Sequence, residues 1–262
     1  MRTLLEVKDL TMDFGGLRAL DHLDLHVNEG EIVALIGPNG AGKTTFFNCI
    51  TGLFSPIKGE MTLSSPQKKK KKINGLKPNK VTELGLARTF QNIRLFQNMT
   101  VLENVMIGRH CRMTSGIAGA VLRNSATVKE EQQVLADSFT VLKKIGLAGY
   151  VNELAMNLPY GAQKRLEIAR AMATEPFLLL LDEPAAGMNI QETKELDELI
   201  LRIRDREKIS ILLIEHDMQL VMSLSDRIIV MDYGRKIAEG TPSEIRNNPV
   251  VIKAYLGEDI DA

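Results

Sequence analysis

The chain of 262 residues has no tryptophan, only two cysteines and an aromatic content of 5%. Cys49 and Cys111 are too few for a disulfide framework, and neither sits in a CxxC or a Cys/His cluster with metal-ligand spacing. That excludes a stapled secreted scaffold and a zinc module, and a reducing compartment fits best. No apolar run approaches the roughly 20 residues that a spanning helix needs. Glu6, Lys8 and Asp9 interrupt the N-terminus before a signal-peptide core could form, so the chain is expected neither to cross a membrane nor to be exported by itself. An excess of charge is also missing. With 33 Lys+Arg against 33 Asp+Glu, nothing biases the whole surface toward nucleic acid or an acidic partner. What is present is 44% hydrophobic residues, which excludes disorder by composition. At this length one large domain, or one domain with a smaller lobe, folds without staples.

Four short apolar runs read as strands buried on both faces: Ile32 to Ile36, Leu178 to Leu181, Ile211 to Ile214 and Ile228 to Met231. Between the second and third, Leu196, Leu199, Ile200 and Ile203 repeat at helical spacing. Strand, helix, strand implies a parallel sheet. Leu4 to Leu10 and Ala19 to Val27 instead alternate apolar with polar around Gly15-Gly16, as antiparallel strands with one wet face would. From about Asn92 to Asn157 strand signals fade, and Leu135, Phe139 and Leu142 mark a helix in what should be a helical portion. Lys68 to Lys72 reads first as a solvated loop or hairpin tip; attraction to anionic headgroups or nucleic acid is the other reading. No internal repeat is visible.

Gly37-Pro38-Asn39-Gly40-Ala41-Gly42-Lys43-Thr44 follows a strand and precedes a helix-compatible stretch, which is GxxxxGK[ST] in its required setting. The glycines let backbone N–H groups turn toward phosphates, and the next helix points its positive end at them. Lys43 supplies a point charge, and the Thr44 hydroxyl, followed by Thr45, can ligate Mg²⁺. The strand ending in Asp182-Glu183 places two carboxylates where parallel sheets bind ligands. Asp182 can hold hydrated Mg²⁺ and Glu183 can polarise an attacking water. Acidic residues capping a helix after a strand are the plainer alternative, which the phosphate loop in the same chain disfavours.

With these motifs the chain resembles the ATP-binding subunits of ABC transporters over nearly its whole length. Arg88-Thr89-Phe90-Gln91 looks like the glutamine loop, Leu158-Pro159-Tyr160-Gly161-Ala162-Gln163 resembles the signature, Ala186-Gly187-Met188-Asn189 sits at the D-loop, and Ile214-Glu215-His216-Asp217 resembles the switch-histidine segment. The resemblance implies an α/β P-loop NTPase of the ABC type, with a RecA-like parallel-sheet core, an N-terminal antiparallel β subdomain and a helical lobe. Residues 1–91 and 164–262 would form the core and 92–163 the lobe ending in the signature. It further implies ATP and Mg²⁺, and a head-to-tail dimer in which each ATP lies between one phosphate loop and the partner's signature, here Tyr160 and Gly161. Glu183, His216 and Gln91 would act on the γ-phosphate and water, Gln91 would reach the metal, and Phe14 would stack on adenine. Packing of Phe14 under the sheet is the alternative for that residue. Three positions depart from the family pattern: Pro159 replaces the signature serine, Ala162 a glutamine and Asn189 the D-loop aspartate. These are expected to tune the rate rather than abolish hydrolysis.

Narrower stretches look like one ATP-binding subunit of the bacterial branched-chain amino-acid importer, among them Phe14-Gly15-Gly16-Leu17, Met99 to Val105, Tyr160-Gly161, Glu183 to Asn189 and Ala254-Tyr255-Leu256-Gly257-Glu258. The segment around Lys68 to Lys80 departs from that pattern. The resemblance implies a second ATP-binding subunit, two permeases, a periplasmic amino-acid-binding protein and a place on the cytoplasmic face of the inner membrane, with no nucleic-acid partner. Urea or short-chain amide import, lipopolysaccharide export and a soluble non-transport ABC ATPase are the alternatives. Intact Lys43, Asp182, Glu183 and His216 argue against a non-hydrolysing cassette.

Overall fold

The computed structural model describes residues 1–65, 70–113 and 125–256. Its centre is a six-stranded sheet in the order β10-β9-β3-β8-β7-β6, built from β3 (Ile32–Ile36), β6 (Leu86–Arg88), β7 (Leu178–Asp182), β8 (Ser210–Ile214), β9 (Arg227–Asp232) and β10 (Arg235–Gly240). All neighbours pair in parallel except β10, which runs antiparallel to β9. The four apolar runs are its interior strands, each lined with buried residues. Period-two side-chain alternation divides those residues between two cores. Ile32, Ala34, Leu179, Leu181, Ile211 and Leu213 pack on one side, with helices. Val33, Leu35, Leu178, Leu180, Leu212 and Ile214 pack on the other, against a second sheet.

That second sheet is antiparallel, ordered β2-β1-β4-β5, from β1 (Thr3–Phe14), β2 (Leu17–Asn28), β4 (Lys58–Leu63) and β5 (Lys71–Lys72). The expected alternation holds in β2, where Leu23, Leu25 and Val27 are buried. It fails in β1, where Leu4 and Leu5 are both buried, because register shifts interrupt the ladder. Asp9 and His22 mark the irregularity with positive φ, as at β-bulges. Of the lysine run, Lys71 and Lys72 form an exposed edge strand against Thr62 and Leu63, whereas Lys68 and Lys69 lie outside the described residues, as do Gly257 and Glu258.

The helices on the first face are α1 (Lys43–Ile50), α2 (Pro78–Glu83), α3 (Val101–Arg109), α4 (Ser125–Ile145), α5 (Tyr160–Met172), α6 (Ile190–Glu207), α7 (Met218–Leu224), α8 (Pro242–Arg246) and α9 (Pro249–Leu256), except that α1 and α2 lie toward the antiparallel sheet. Among the described residues none is long and apolar enough to cross a membrane. Thr100 starts α3 with a reciprocal capping box to Glu103. Fully buried Asn104 then closes the preceding turn by donating to the Phe96 and Thr100 carbonyls, both at 3.0 Å, and accepting from Phe96 N–H at 3.0 Å. In α6, Leu196, Leu199, Ile200 and Ile203 are buried as their spacing implies.

The face of α4 differs from the expected one. Leu135 is 50% exposed, and the buried row is Val134, Ser138, Leu142 and Ile145. The cause is Ser138, a small polar residue that packs at a contact position where apolar counting sees a gap. Phe139 is only half-buried and lies under the Lys143 ammonium, 4.8 Å from the ring centre. Leu142→Ala should therefore lower unfolding stability by about 2–5 kcal/mol, while Leu135→Ala stays within about 0.5 kcal/mol. Urea denaturation of the two variants measures both, and equal losses would reject this face.

Candidate functional site: a phosphate loop facing an acidic strand end

Four loops leave the same edge of the parallel sheet, after β3, β6, β7 and β8, and side chains of the last three meet. After β3 the chain turns through Gly37, Gly40 and Gly42, with φ of 151°, 84° and 99°. A Cβ on Gly37 would lie 2.0 Å from the Met231 carbonyl oxygen, and one on Gly42 would lie 2.5 Å from that of Ala19. Glycine is therefore required at both by close backbone approach as well as by φ. The Ala41 N–H donates to the Pro38 carbonyl at 3.2 Å, leaving Asn39 and Gly40 exposed at the loop tip. Lys43 folds back into the loop, its Nζ donating to the Gly37 and Pro38 carbonyls at 2.7 and 2.9 Å. Burial lowers its pKa, opposed by the charges of Glu183 and Asp182. Thr44 is exposed at the first turn of α1, with Thr45 partly covered.

β7 delivers Asp182 buried and Glu183 just beyond it. Glu183 sits at φ 49°, an uncommon conformation for a non-glycine residue that costs about 1 kcal/mol or more. Its N–H donates to the Ile214 carbonyl at 2.9 Å, which holds the turn against the end of β8. This geometry excludes the helix-cap alternative for the acidic pair, since a turn and not a helix follows. The carboxylate of Glu183 is the meeting point. Gln91 Nε2 donates to its Oε2 at 2.8 Å, and His216 Nε2 lies 2.7 Å from its Oε1. The chain thus gathers Gln91, Glu183 and His216 from three separate segments, beside the phosphate loop.

Several supporting contacts are not readable from the motifs, although Arg88 and Glu215 stand within them. Arg88 Nη2 binds Asp182 Oδ2 at 2.8 Å. Glu215, buried, accepts from the N–H groups of Ala185 and His216 at 2.9 and 3.0 Å, pinning the two loops together, and burial pushes its pKa up. Lys164 on α5 reaches the Gln91 carbonyl at 3.0 Å and the Glu183 carbonyl at 3.4 Å. Buried Glu167 accepts from Phe90 and Arg94 N–H, each at 3.4 Å, bracing the segment around Gln91. Charged residues in mid-helix give a sequence reader little reason to expect such contacts.

The remaining expected residues lie elsewhere. Phe14 is exposed at the tip of the β1–β2 hairpin, edge-on to Phe54 with ring centres 5.2 Å apart, so it does not pack under the sheet. Tyr160 and Gly161 begin α5 without a side-chain cap, Pro159 standing at the N-cap. The Tyr160 hydroxyl donates to the Ala186 carbonyl at 3.0 Å, and a Cβ on Gly161 would meet Glu192 at 2.6 Å. Within one chain Tyr160 therefore contacts the turn after Glu183, and Gly161 faces the first turn of α6. Asn189 caps α6 through a reciprocal box with Glu192, a role that needs no charge.

A family model described as ABC transporter matches residues 20–186. The chain belongs to the ATP-binding proteins of ABC transporters. A second family model, described as branched-chain amino acid ATP-binding cassette transporter, matches residues 235–261. The high-affinity branched-chain amino acid transport ATP-binding protein LivG of Salmonella typhimurium is 51% identical over 255 residues, covering 97% of this chain and 98% of that protein. BraF of Pseudomonas aeruginosa, of the same description, is 46% identical over 257 residues, covering 98% and 99%. A crystal structure of an ATP-binding cassette of an ABC transporter in its ADP conformation superposes with a TM-score of 0.84 at 31% identity, covering 98% of this chain and all of that one. A nucleotide-free cassette gives 0.82 at 32% identity, with 98% of this chain covered and 100% of that one. The cassette fold expected from the motifs is the observed one, and the ABC ATPase is an ATP-binding enzyme whose hydrolysis serves transport.

One further buried carboxylate lies within reach of the charges of Glu215 and Asp217. Asp197 on α6 has a buried Oδ1 without a hydrogen-bond partner among the described residues. Its pKa is pushed up to about 6, by burial first and then by the charges of Asp217 and Glu215. Folding therefore favours its protonated form, and its contribution is present at low pH and lost as pH rises from about 4 through about 6. Asp197→Asn should raise the melting temperature relative to the unaltered chain at pH 8, with the difference vanishing near pH 4. Calorimetry at both pH values checks this, and a gain independent of pH would sink it.

Proposed function

We propose that the chain is the ATP-hydrolysing subunit of a branched-chain amino-acid importer, and that Glu183 is its general base. The observation that carries the chemistry is the convergence of Gln91 and His216 on the two oxygens of the Glu183 carboxylate. A carboxylate so held beside a phosphate loop can take the proton of a water attacking the γ-phosphorus in line. Each carboxylate oxygen has one protein contact and keeps a further lone pair, so a water can be taken up beside Gln91 and His216. His216 would face the γ-phosphate, and the amide oxygen of Gln91 would be available to the metal.

Phosphate binding falls to the loop from Gly37 to Thr44. Lys43 spends its ammonium on two loop carbonyls, and a triphosphate offers it stronger acceptors at the same place. The donor set for Mg²⁺ is the Thr44 hydroxyl, the Asp182 carboxylate and the amide oxygen of Gln91, whose nitrogen is turned to Glu183. It suits an ion that keeps waters and phosphate oxygens as its other ligands. When bound, Mg²⁺ neutralises charge building on the transferred phosphoryl group. Phe14, exposed on its hairpin, offers an aromatic face to adenine.

The Tyr160 hydroxyl is bonded to the turn after Glu183, and the start of α5 has no side-chain cap, so its N–H groups can meet a second nucleotide. This supports a head-to-tail dimer with a second ATP-binding subunit, residues 92–163 turning as a lobe on the core. Such a dimer would work beneath two permease subunits at the cytoplasmic face of the membrane, served by a periplasmic binding protein. The amino-acid substrate rests on the names of the relatives and on the C-terminal family match, since nothing in the site touches it.

Glu183→Gln should bind ATP, dimerise and turn over at least about 100-fold more slowly; undiminished turnover would remove Glu183 as the base. Lys43→Ala should lose most nucleotide affinity, measured by fluorescent ATP binding, and unchanged affinity counts against the loop assignment. Affinity isolation from gently solubilised membranes should recover two permeases and a second ATPase, with turnover stimulated by leucine and the binding protein. Recovery of lipopolysaccharide-export proteins, or of ribosomes, would keep the ATPase and overturn the substrate.

A further inference from the structure

Three residues proposed for the metal, Thr44, Gln91 and Asp182, come from three different elements, and one buried side chain touches all three elements. Arg88 ends β6 in register with Leu180, two residues before Asp182 on the neighbouring strand. Its Nη2 lies 2.8 Å from Asp182 Oδ2, with the two side chains 7% and 5% exposed. Its Nη1 donates at 2.7 Å to the side-chain oxygen of Asn48, one turn beyond Thr44 on α1, and at 3.4 Å to the Thr51 hydroxyl. The guanidinium carbon lies 5.5 Å from the ring centre of Phe47 on α1 and 5.3 Å from that of Phe90, which directly precedes Gln91. The remaining nitrogen, Nε, is buried without a hydrogen-bond partner among the described residues, so the plane is set by this fork and by the two rings.

We propose that Arg88 is the positioning residue of the nucleotide's metal site, holding the Asp182 carboxylate, helix α1 and the Gln91 segment in one arrangement before nucleotide arrives. The inference rests on the reading of Asp182 as a metal-site carboxylate. One carboxylate oxygen is fixed by the guanidinium, and Oδ1 is left to the metal's water shell. Two donors diverging toward two elements, with aromatic rings beside the plane, are what arginine supplies and lysine lacks. A lysine would keep the charge opposite Asp182 and lose the link to Asn48. Removing the charge altogether leaves a buried carboxylate without its partner, free to turn away from the site.

The test uses the full chain with saturating ADP, reading Mn²⁺ binding by electron paramagnetic resonance and, in EDTA, metal-free ADP affinity by displacement of a fluorescent nucleotide. Arg88→Met should weaken Mn²⁺ binding at least tenfold while metal-free ADP affinity stays within twofold, and Arg88→Lys should recover part of the loss. Equal weakening of both, or Mn²⁺ binding within twofold of the unaltered chain, overturns the proposal. If Arg88→Met does not fold, Arg88→Lys and Asn48→Ala carry the test: each should weaken Mn²⁺ at least threefold, and unaltered binding in both overturns it. Asp182→Asn separates the two layers. If it leaves Mn²⁺ binding unchanged, the metal reading of Asp182 fails and the proposal with it. If it abolishes Mn²⁺ binding while Arg88→Met leaves it within twofold of the unaltered chain, the proposal alone fails.

Discussion

The central strands are buried on both faces, and from that constraint the rest of the arrangement follows. A strand such as Leu178 to Leu181 has apolar cores above and below it, so it has nowhere to place a charged side chain along its length. Polar chemistry is pushed to the strand ends, where the backbone emerges into loops. β3 ends in the glycine-rich turn, β7 in Asp182 and Glu183, β8 in Glu215 and His216. Parallel pairing puts all three ends on one edge. The site is thus assembled by the sheet before any of its side chains makes a contact.

Once gathered, the polar groups must hold one another, because the edge is only partly open to water. Each loop is tied to its neighbour by a bond between chain segments far apart in sequence: Glu215 to the Ala185 N–H, Gln91 and His216 to Glu183, Lys164 to two carbonyls, Arg88 to Asp182. Each of these side chains comes from a segment that also carries a proposed functional group or a helix leading to the signature. The set is a mesh, in which displacing one partner of Glu183 loosens the Gln91 segment and, through Lys164, the start of α5. Nucleotide arrival at one place can therefore be felt at another without any long-range force.

Much of this was legible beforehand, and the legible part has a common character. Strands buried on both faces announce themselves as short apolar runs, and the phosphate loop announces itself because a tight turn of glycines before a helix has few other uses. Local rules suffice for both. The contacts that brace the site are different in kind: Arg88 and Asp182 stand 94 residues apart, and Lys164 and Gln91 73. Arg88 stands at the start of the glutamine-loop motif, but nothing local in the sequence says that its guanidinium faces Asp182 and Asn48 rather than solvent. The α4 face was misread for a related reason, since Ser138 packs where a purely apolar count expects a larger residue, and Leu135 beside it is left to solvent. The bulges in β1 escaped because a strand alternation read residue by residue assumes a regular ladder.

The two kinds of residue also answer to different physical demands. Those of the loop and the strand ends are constrained by geometry that glycine or a terminal carboxylate alone can meet, as the 2.0 Å approach at Gly37 shows. Braces such as Glu215 and Lys164, which meet backbone groups, are constrained mainly by having a partner within reach, which other residues could satisfy. A cassette can therefore keep its phosphate loop while changing its braces. Pro159 and Asn189 fit this view: Asn189 keeps a helix cap that an aspartate would also provide, and Pro159 leaves the start of α5 to its backbone. Neither change reaches the bonds that Gln91 and His216 make to Glu183, so the hydrolytic geometry is preserved while the helix starts beside it vary.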